Sequence, residues 1–99
     1  MLNIDVEKKG NELIVKLEGR LDTLTSHQLE NELRTHINGI SKLVLDLNKV
    51  EYVSSAGLRV ILSAQKVMNK QGKMVVVGVS DLIMEIFEVT GFVDILTIE

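Results

Sequence analysis

Leu2, Ile4 and Val6 alternate with Asn3, Asp5 and Glu7, and Leu13, Val15 and Leu17 restart the same two-residue period a few positions later. Alternation of this kind marks half-buried strands, because successive side chains leave a strand on opposite faces. Gly10 and Asn11 stand between the two runs, and both residue types tolerate the positive φ of a tight turn. The chain therefore opens on a β-hairpin. From Leu24 onward the apolar period lengthens to that of a helix and then switches back and forth. A hairpin followed by alternating helices and strands confines the chain to a mixed sheet with helices packed on it.

"LTSHQLENELRTHINGI" predicts the first helix, with Thr25 and Gln28 as a capping box and Leu24 stapled onto Leu29. Leu29, Leu33, Ile37 and Ile40 trace one face, while Glu30, Asn31, Glu32 and Arg34 face water. Asn38 and Gly39 supply a left-handed stop. "KLVLDL" at 42–47 reads as a strand buried on both faces, followed by a polar loop, "NKVEY". A second helix starts at Ser54 or Ser55 and runs to about Gln71. Its apolar face is Leu58, Ile61, Leu62, Ala64 and Met68, with Arg59, Ser63, Lys66 and Lys70 outside. "KMVVVGV" is a further buried strand. Ser80 caps a third helix, helped by Asp81 at its positive end, and Gly91 closes it. Leu82, Ile83, Ile86, Phe87 and Val89 supply that helix's apolar surface. "FVDILTI" suggests a last brief strand.

Ninety-nine residues make one domain, 1–99, with a real core. Only Tyr52, Phe87 and Phe92 are aromatic, so that core is built of Val, Leu and Ile. The net charge of −3, with no basic cluster, argues against a nucleic-acid partner. The absence of cysteine excludes disulfides and thiolate metal sites. No apolar run approaches a membrane span and no signal-peptide pattern opens the chain, which implies no membrane partner and a cytoplasmic protein.

The chemistry concentrates in "YVSSAGLRVILSAQ", where two hydroxyls, Ser54 and Ser55, stand at a helix start. A hydrolase nucleophile elbow needs Gly-x-Ser-x-Gly, and the upstream glycine is missing around Ser55. His27 and His36 are the candidate bases, and both fall in the first helix. No standard phosphate loop is present. Asp22, Asp46 and Glu51 are dispersed carboxylates without metal-ligand spacing. Two readings stay open. The serines are plain caps, or one of them is an accessible hydroxyl that another protein modifies, since a cap needs only one.

"GRLDTLTS", "LVLDLNKVEYVSSAGLRVIL" and "VVVGVSDLIMEIFEVTGF" together resemble the anti-sigma factor antagonists, single-domain members of the STAS family. The resemblance runs in order over essentially the whole chain. It implies a small STAS-type mixed β-sheet of about four to five strands with helices mainly on one face, in agreement with the periodicity.

The resemblance also implies a partner-switching protein with no catalysis and no cofactor of its own. Unphosphorylated, such a protein sequesters an anti-sigma factor that is also a serine kinase of the histidine-kinase-like ATPase type, and so releases a sigma factor. Phosphorylation by that kinase switches it off, and a PP2C-type phosphatase restores it. The same phospho-switch acting in a bacterial pathway without a sigma factor is the alternative. The family motif places the acceptor on Ser55, two residues before Gly57, with Ser54 standing where many members carry Asp. The Gly-Arg-Leu-Asp piece carries over to Asp22, in a loop beside the acceptor. Ser54, Ser55, Gly57, Asp22 and, from helix geometry, Arg59 form the expected partner-binding set. Asp22 and Arg59 are expected to be solvated, so that truncating either changes stability little.

Overall fold

The structure is a computed structural model and describes residues 2–99. The elements run β1 (Leu2–Lys9), β2 (Glu12–Leu21), α1 (Ser26–His36), β3 (Lys42–Val53), α2 (Ser55–Gln71), β4 (Lys73–Val77) and α3 (Asp81–Thr90), with a 3-10 turn at Phe92–Asp94. The four strands lie side by side in the order β1-β2-β3-β4. β1 pairs antiparallel with β2, as a hairpin must, while β2, β3 and β4 run parallel. Gly10 takes the left-handed turn position of the hairpin with φ 62°, and Asn11 does not share it.

Alternation decides which face is buried. Leu13, Val15, Leu17 and Leu21 of β2 and Leu43, Leu45 and Leu47 of β3 point into one core. Leu29 and Leu33 of α1, Ile61, Ala64 and Met68 of α2, and Ile83 and Phe87 of α3 join the same cluster. Full burial of each Leu or Ile contributes about 1.5–3 kcal/mol, so this layer dominates the stability of so small a chain. Phe87 stacks on Phe92 with ring centroids 6.3 Å apart.

β3 differs from expectation in two ways. It is not buried on both faces: its outward residues Val44 and Asp46 are only half-buried. Nor does it stop at Leu47, because "NKVEY" continues the strand to Val53. β2 is long enough to pair with that extension, through Glu18–Lys49, Gly19–Val50, Arg20–Tyr52 and Leu21–Val53. Two register shifts, characteristic of β-bulges, absorb the extra residues of β3. The result is that β2 and β3 end together.

The tail also departs from a strand. After Gly91 in the left-handed C-cap conformation, it forms the 3-10 turn and then one isolated bridge, Val76 with Ile98. Thr97 O accepts from Val76 N at 2.8 Å and Val76 O accepts from Glu99 N at 2.9 Å, which pairs part of the outer edge of β4.

Candidate functional site

Parallel strands bring their carboxyl ends to one edge, and here those of β2 and β3 carry Asp22 and Ser54. The Ser54 amide donates to Leu21 O at 2.8 Å, so the start of α2 is tied to the residue before Asp22. Gly57 makes the approach possible. A Cβ there would lie 2.7 Å from Leu21 Cγ and 3.0 Å from Leu21 O. Gly57 is buried, and its contribution is to let the helix pack on the strand end.

The two serines are not equivalent. Ser54 is the N-cap of α2, with extended backbone, and its Oγ accepts from Gly57 N at 3.3 Å. Its carbonyl accepts from Leu58 N at 2.8 Å. The Ser54 Oγ and carbonyl thus both accept from the first turn of α2, while its amide is held by β2. Ser55 is the first residue inside α2 and is exposed, and no described residue bonds its hydroxyl. It stands at the positive end of a seventeen-residue helix, beside first-turn amides that have no intrahelical acceptor.

Asp22 is placed by a capping box of its own. Its Oδ1 accepts from the amides of Leu24 and Thr25, both at 3.0 Å, and its amide donates to Thr25 Oγ1 at 2.9 Å. Asp22 O accepts from Ser26 N at 2.8 Å, as an N-cap carbonyl does. The expected box, Thr25 with Gln28, does not form. Thr25 has helical backbone, is 8% exposed, and donates its hydroxyl proton to Arg20 O at 2.7 Å. The expected staple of Leu24 onto Leu29 fails as well, because Leu24 is 85% exposed. The Thr25 amide above all, then the Thr25 hydroxyl, the Leu24 amide and the charge of Arg20, hold the Asp22 carboxyl below its ordinary value. Desolvation opposes them. Asp22 is thus a structural cap with one carboxylate oxygen left over, not a merely solvated residue.

That second oxygen, Oδ2, lies 4.0 Å from Arg20 Nε. The Arg20 guanidinium sits 4.7 Å from the centre of the Tyr52 ring, a cation–π arrangement. Sequence reasoning missed both residues. Their adjacency follows from the Arg20–Tyr52 pairing of β2 with β3, which needs the strand extension. Arg59 is exposed, one turn after Ser55, and lines a groove of about 330 Å³ between α1 and α2 with Thr23, Ser26, His27 and Glu30. The structure therefore brings Asp22, Ser54 and Ser55 to one end of the sheet and sets Arg59 to the α1 side of them. His27 and His36 face Glu30 and Glu32, at 4.0 and 3.3 Å. Among the described residues no three carboxylates or imidazoles gather as a metal site. No described helix is long and apolar enough to cross a membrane.

Comparison with known proteins places the chain as a whole. Residues 3–99 match the STAS domain family. BtrV of Bordetella bronchiseptica, a candidate anti-sigma factor antagonist, is 35% identical over 96 residues, covering 95% of this chain and 83% of its own. The anti-sigma-B factor antagonist of Staphylococcus aureus is 33% identical over 97 residues, covering 96% and 90%. In fold, the Bacillus cell fate determinant SpoIIAA in its phosphorylated form superposes with a TM-score of 0.77 at 15% identity, covering 98% of this chain and 91% of that one. The chain belongs to the STAS domain family.

Proposed function

We propose that this STAS domain is an anti-sigma factor antagonist whose partner binding is switched by phosphorylation of Ser55. The unphosphorylated chain binds an anti-sigma factor that is also a serine kinase of the histidine-kinase-like ATPase type, and a sigma factor is released. The kinase transfers phosphate to Ser55, and a PP2C-type phosphatase removes it. Phosphate on SpoIIAA is a property of that protein. What brings the switch to this chain is the division of labour between its two serines.

Ser54 Oγ is already engaged by Gly57 N as the α2 cap, whereas no described residue bonds the Ser55 hydroxyl, which leaves Ser55 the more accessible acceptor. A phosphate on Ser55 adds about −1.5 to −2 charges and three strong acceptors. At the positive end of α2 this charge is tolerated by the first-turn amides, so the domain itself stays folded. A partner surface seated over the same spot would have to bury that charge unpaired, which is strongly unfavourable. The fold tolerates the phosphate and the complex does not. Asp22, whose Oδ2 lies 4.0 Å from Arg20 Nε, and exposed Arg59 are the further partner contacts of this reading, with Ser54 and Gly57 fixing the start of α2.

Calorimetric titration of the purified anti-sigma factor kinase tests this reading. Wild type and Ser55→Ala are expected to bind alike, and Ser55→Asp about ten- to a hundredfold more weakly. Unchanged binding by a folded Ser55→Asp variant refutes it.

A further inference from the structure

We propose that the outer face of α3 is a second docking surface, built for a basic amphipathic helix of a partner protein and separate from the Ser55 site. Only Ile83 and Phe87 of α3 are buried. Leu82 is 52% exposed and Val89 82%, and with half-buried Ile86 they form a row at i, i+4 and i+7. The row floors a depression of about 240 Å³, edged by Glu85 and Thr90. Apolar residues in a continuous row at helix spacing are what a helix-in-groove contact uses.

The charge beside that row identifies the occupant. Asp81, Glu85 and Glu88 each precede one of the three apolar residues, giving a carboxylate row parallel to the apolar one. Residues 74–99 hold five of the fourteen acidic residues and none of the eleven Lys and Arg. They hold neither histidine either, so no cation within this segment neutralises the row. A partner helix with Leu-like residues on one stripe and Lys or Arg on the adjacent stripe meets both rows at once, as flanking charges do in coiled coils. An acidic partner is repelled. β4 pairs with β3 only as far as Val77 with Asp46, whereas β3 runs on to Val53 before α2 begins, so the two strands end at different levels before the chain enters α3 and α2.

Fluorescence anisotropy with a labelled synthetic peptide of about 15 residues, long enough to hold some helix, tests the proposal. The peptide carries Leu at i, i+4, i+7 and i+11 with Lys at the flanking positions, and a counterpart carries Glu in place of Lys. Wild type is expected to bind the Lys peptide saturably, and the Glu counterpart about tenfold or more weakly. The Leu82→Ser/Val89→Ser variant should lose about tenfold or more in affinity. Glu85→Lys/Glu88→Lys, which alters charge alone, should also weaken binding, and Val67→Ser on α2 and Ser55→Asp should not. Equal affinity for the two peptides, or no loss in either α3 variant, overturns the proposal. So does failure of wild type to saturate by ~1 mM. Sedimentation showing wild type dimeric and the Leu82→Ser/Val89→Ser variant monomeric also overturns it, in favour of a second copy of this chain.

Discussion

Asp22 and Thr25 cap each other: the Asp22 amide donates to Thr25 Oγ1 at 2.9 Å, and the Thr25 amide donates to Asp22 Oδ1 at 3.0 Å. This reciprocal pair fixes the turn between β2 and α1 and leaves Oδ2 of Asp22 4.0 Å from Arg20 Nε. One residue therefore serves the fold with one oxygen and the surface with the other.

Asp22→Ala is expected to lower the melting temperature, and Asp22→Asn, which retains an Oδ1 acceptor, to lower it less. The folded-state carboxyl is depressed by its donors, so its contribution is complete above the unfolded-chain value of about 3.9 and disappears as pH falls through the lower folded value. Thermal melts of wild type and Asp22→Ala at pH 7 and in stronger acid should show the gap between them closing. A gap that persists unchanged in acid would assign the effect to the turn's packing instead of the carboxylate.

The two serines should separate in stability as they do in geometry. Ser54→Ala removes the acceptor for Gly57 N and is expected to cost about 0.5–2 kcal/mol. Ser55→Ala should change stability by no more than about 0.5 kcal/mol. Urea denaturation of both variants measures the difference. Equal losses would make Ser55 a second cap.

Gly57→Ala forces a methyl group against Leu21 Cγ and the Leu21 carbonyl. Overpacking of this kind costs about 1–3 kcal/mol. Trimming the clash with Leu21→Ala in the same chain should make the two costs less than additive in a double-mutant cycle. Additive costs would mean that the helix start shifts away from β2 without meeting Leu21.

Arg59→Ala should leave the melting temperature nearly unchanged, because Arg59 is exposed and outside the observed ion pairs among the described residues. Its effect should appear in kinase affinity, where Arg is a frequent anchor. Titration of Arg59→Ala against the purified kinase reads that effect, and wild-type affinity would remove Arg59 from the partner surface.

Much of this architecture is legible in the periodicity of the chain. The alternation of Leu13, Val15 and Leu17 and the helical spacing of Leu58, Ile61, Ala64 and Met68 each report the face they bury. The first capping box is not legible in the same way. Thr25-x-x-Gln28 and Asp22-x-x-Thr25 both carry cap residues at the required spacing. The choice is made by β2, whose pairing stops at Leu21 with Val53 and leaves Asp22 as the first residue free to turn. "NKVEY" reads as a loop by composition and is a strand because β2 extends far enough to pair with it. The outward Leu82 and Val89 look like core by type, and only the packing of Ile83 and Phe87 shows which side of α3 is buried.

In the site, the position of Ser55 at a helix start was visible in the chain, and so was the surplus of one hydroxyl over what a cap needs. Which serine caps was not, since Ser54 and Ser55 are both good N-caps and one residue apart. The bonds from Gly57 N to Ser54 Oγ and from Leu58 N to Ser54 O assign the cap to Ser54, and the bond from Ser54 N to Leu21 O ties that residue to the end of β2. Arg20 and Tyr52 were invisible for the same tertiary reason that hid the length of β3.

The proposed switch rests on Ser55. Tandem mass spectrometry of the protein purified from its native cells, before and after treatment with a PP2C-type phosphatase, tests it most directly. The expected result is a phosphoserine at Ser55 that the phosphatase removes, with Ser54 unmodified. Phosphate found on Ser54, or on another residue with Ser55 untouched, would contradict it.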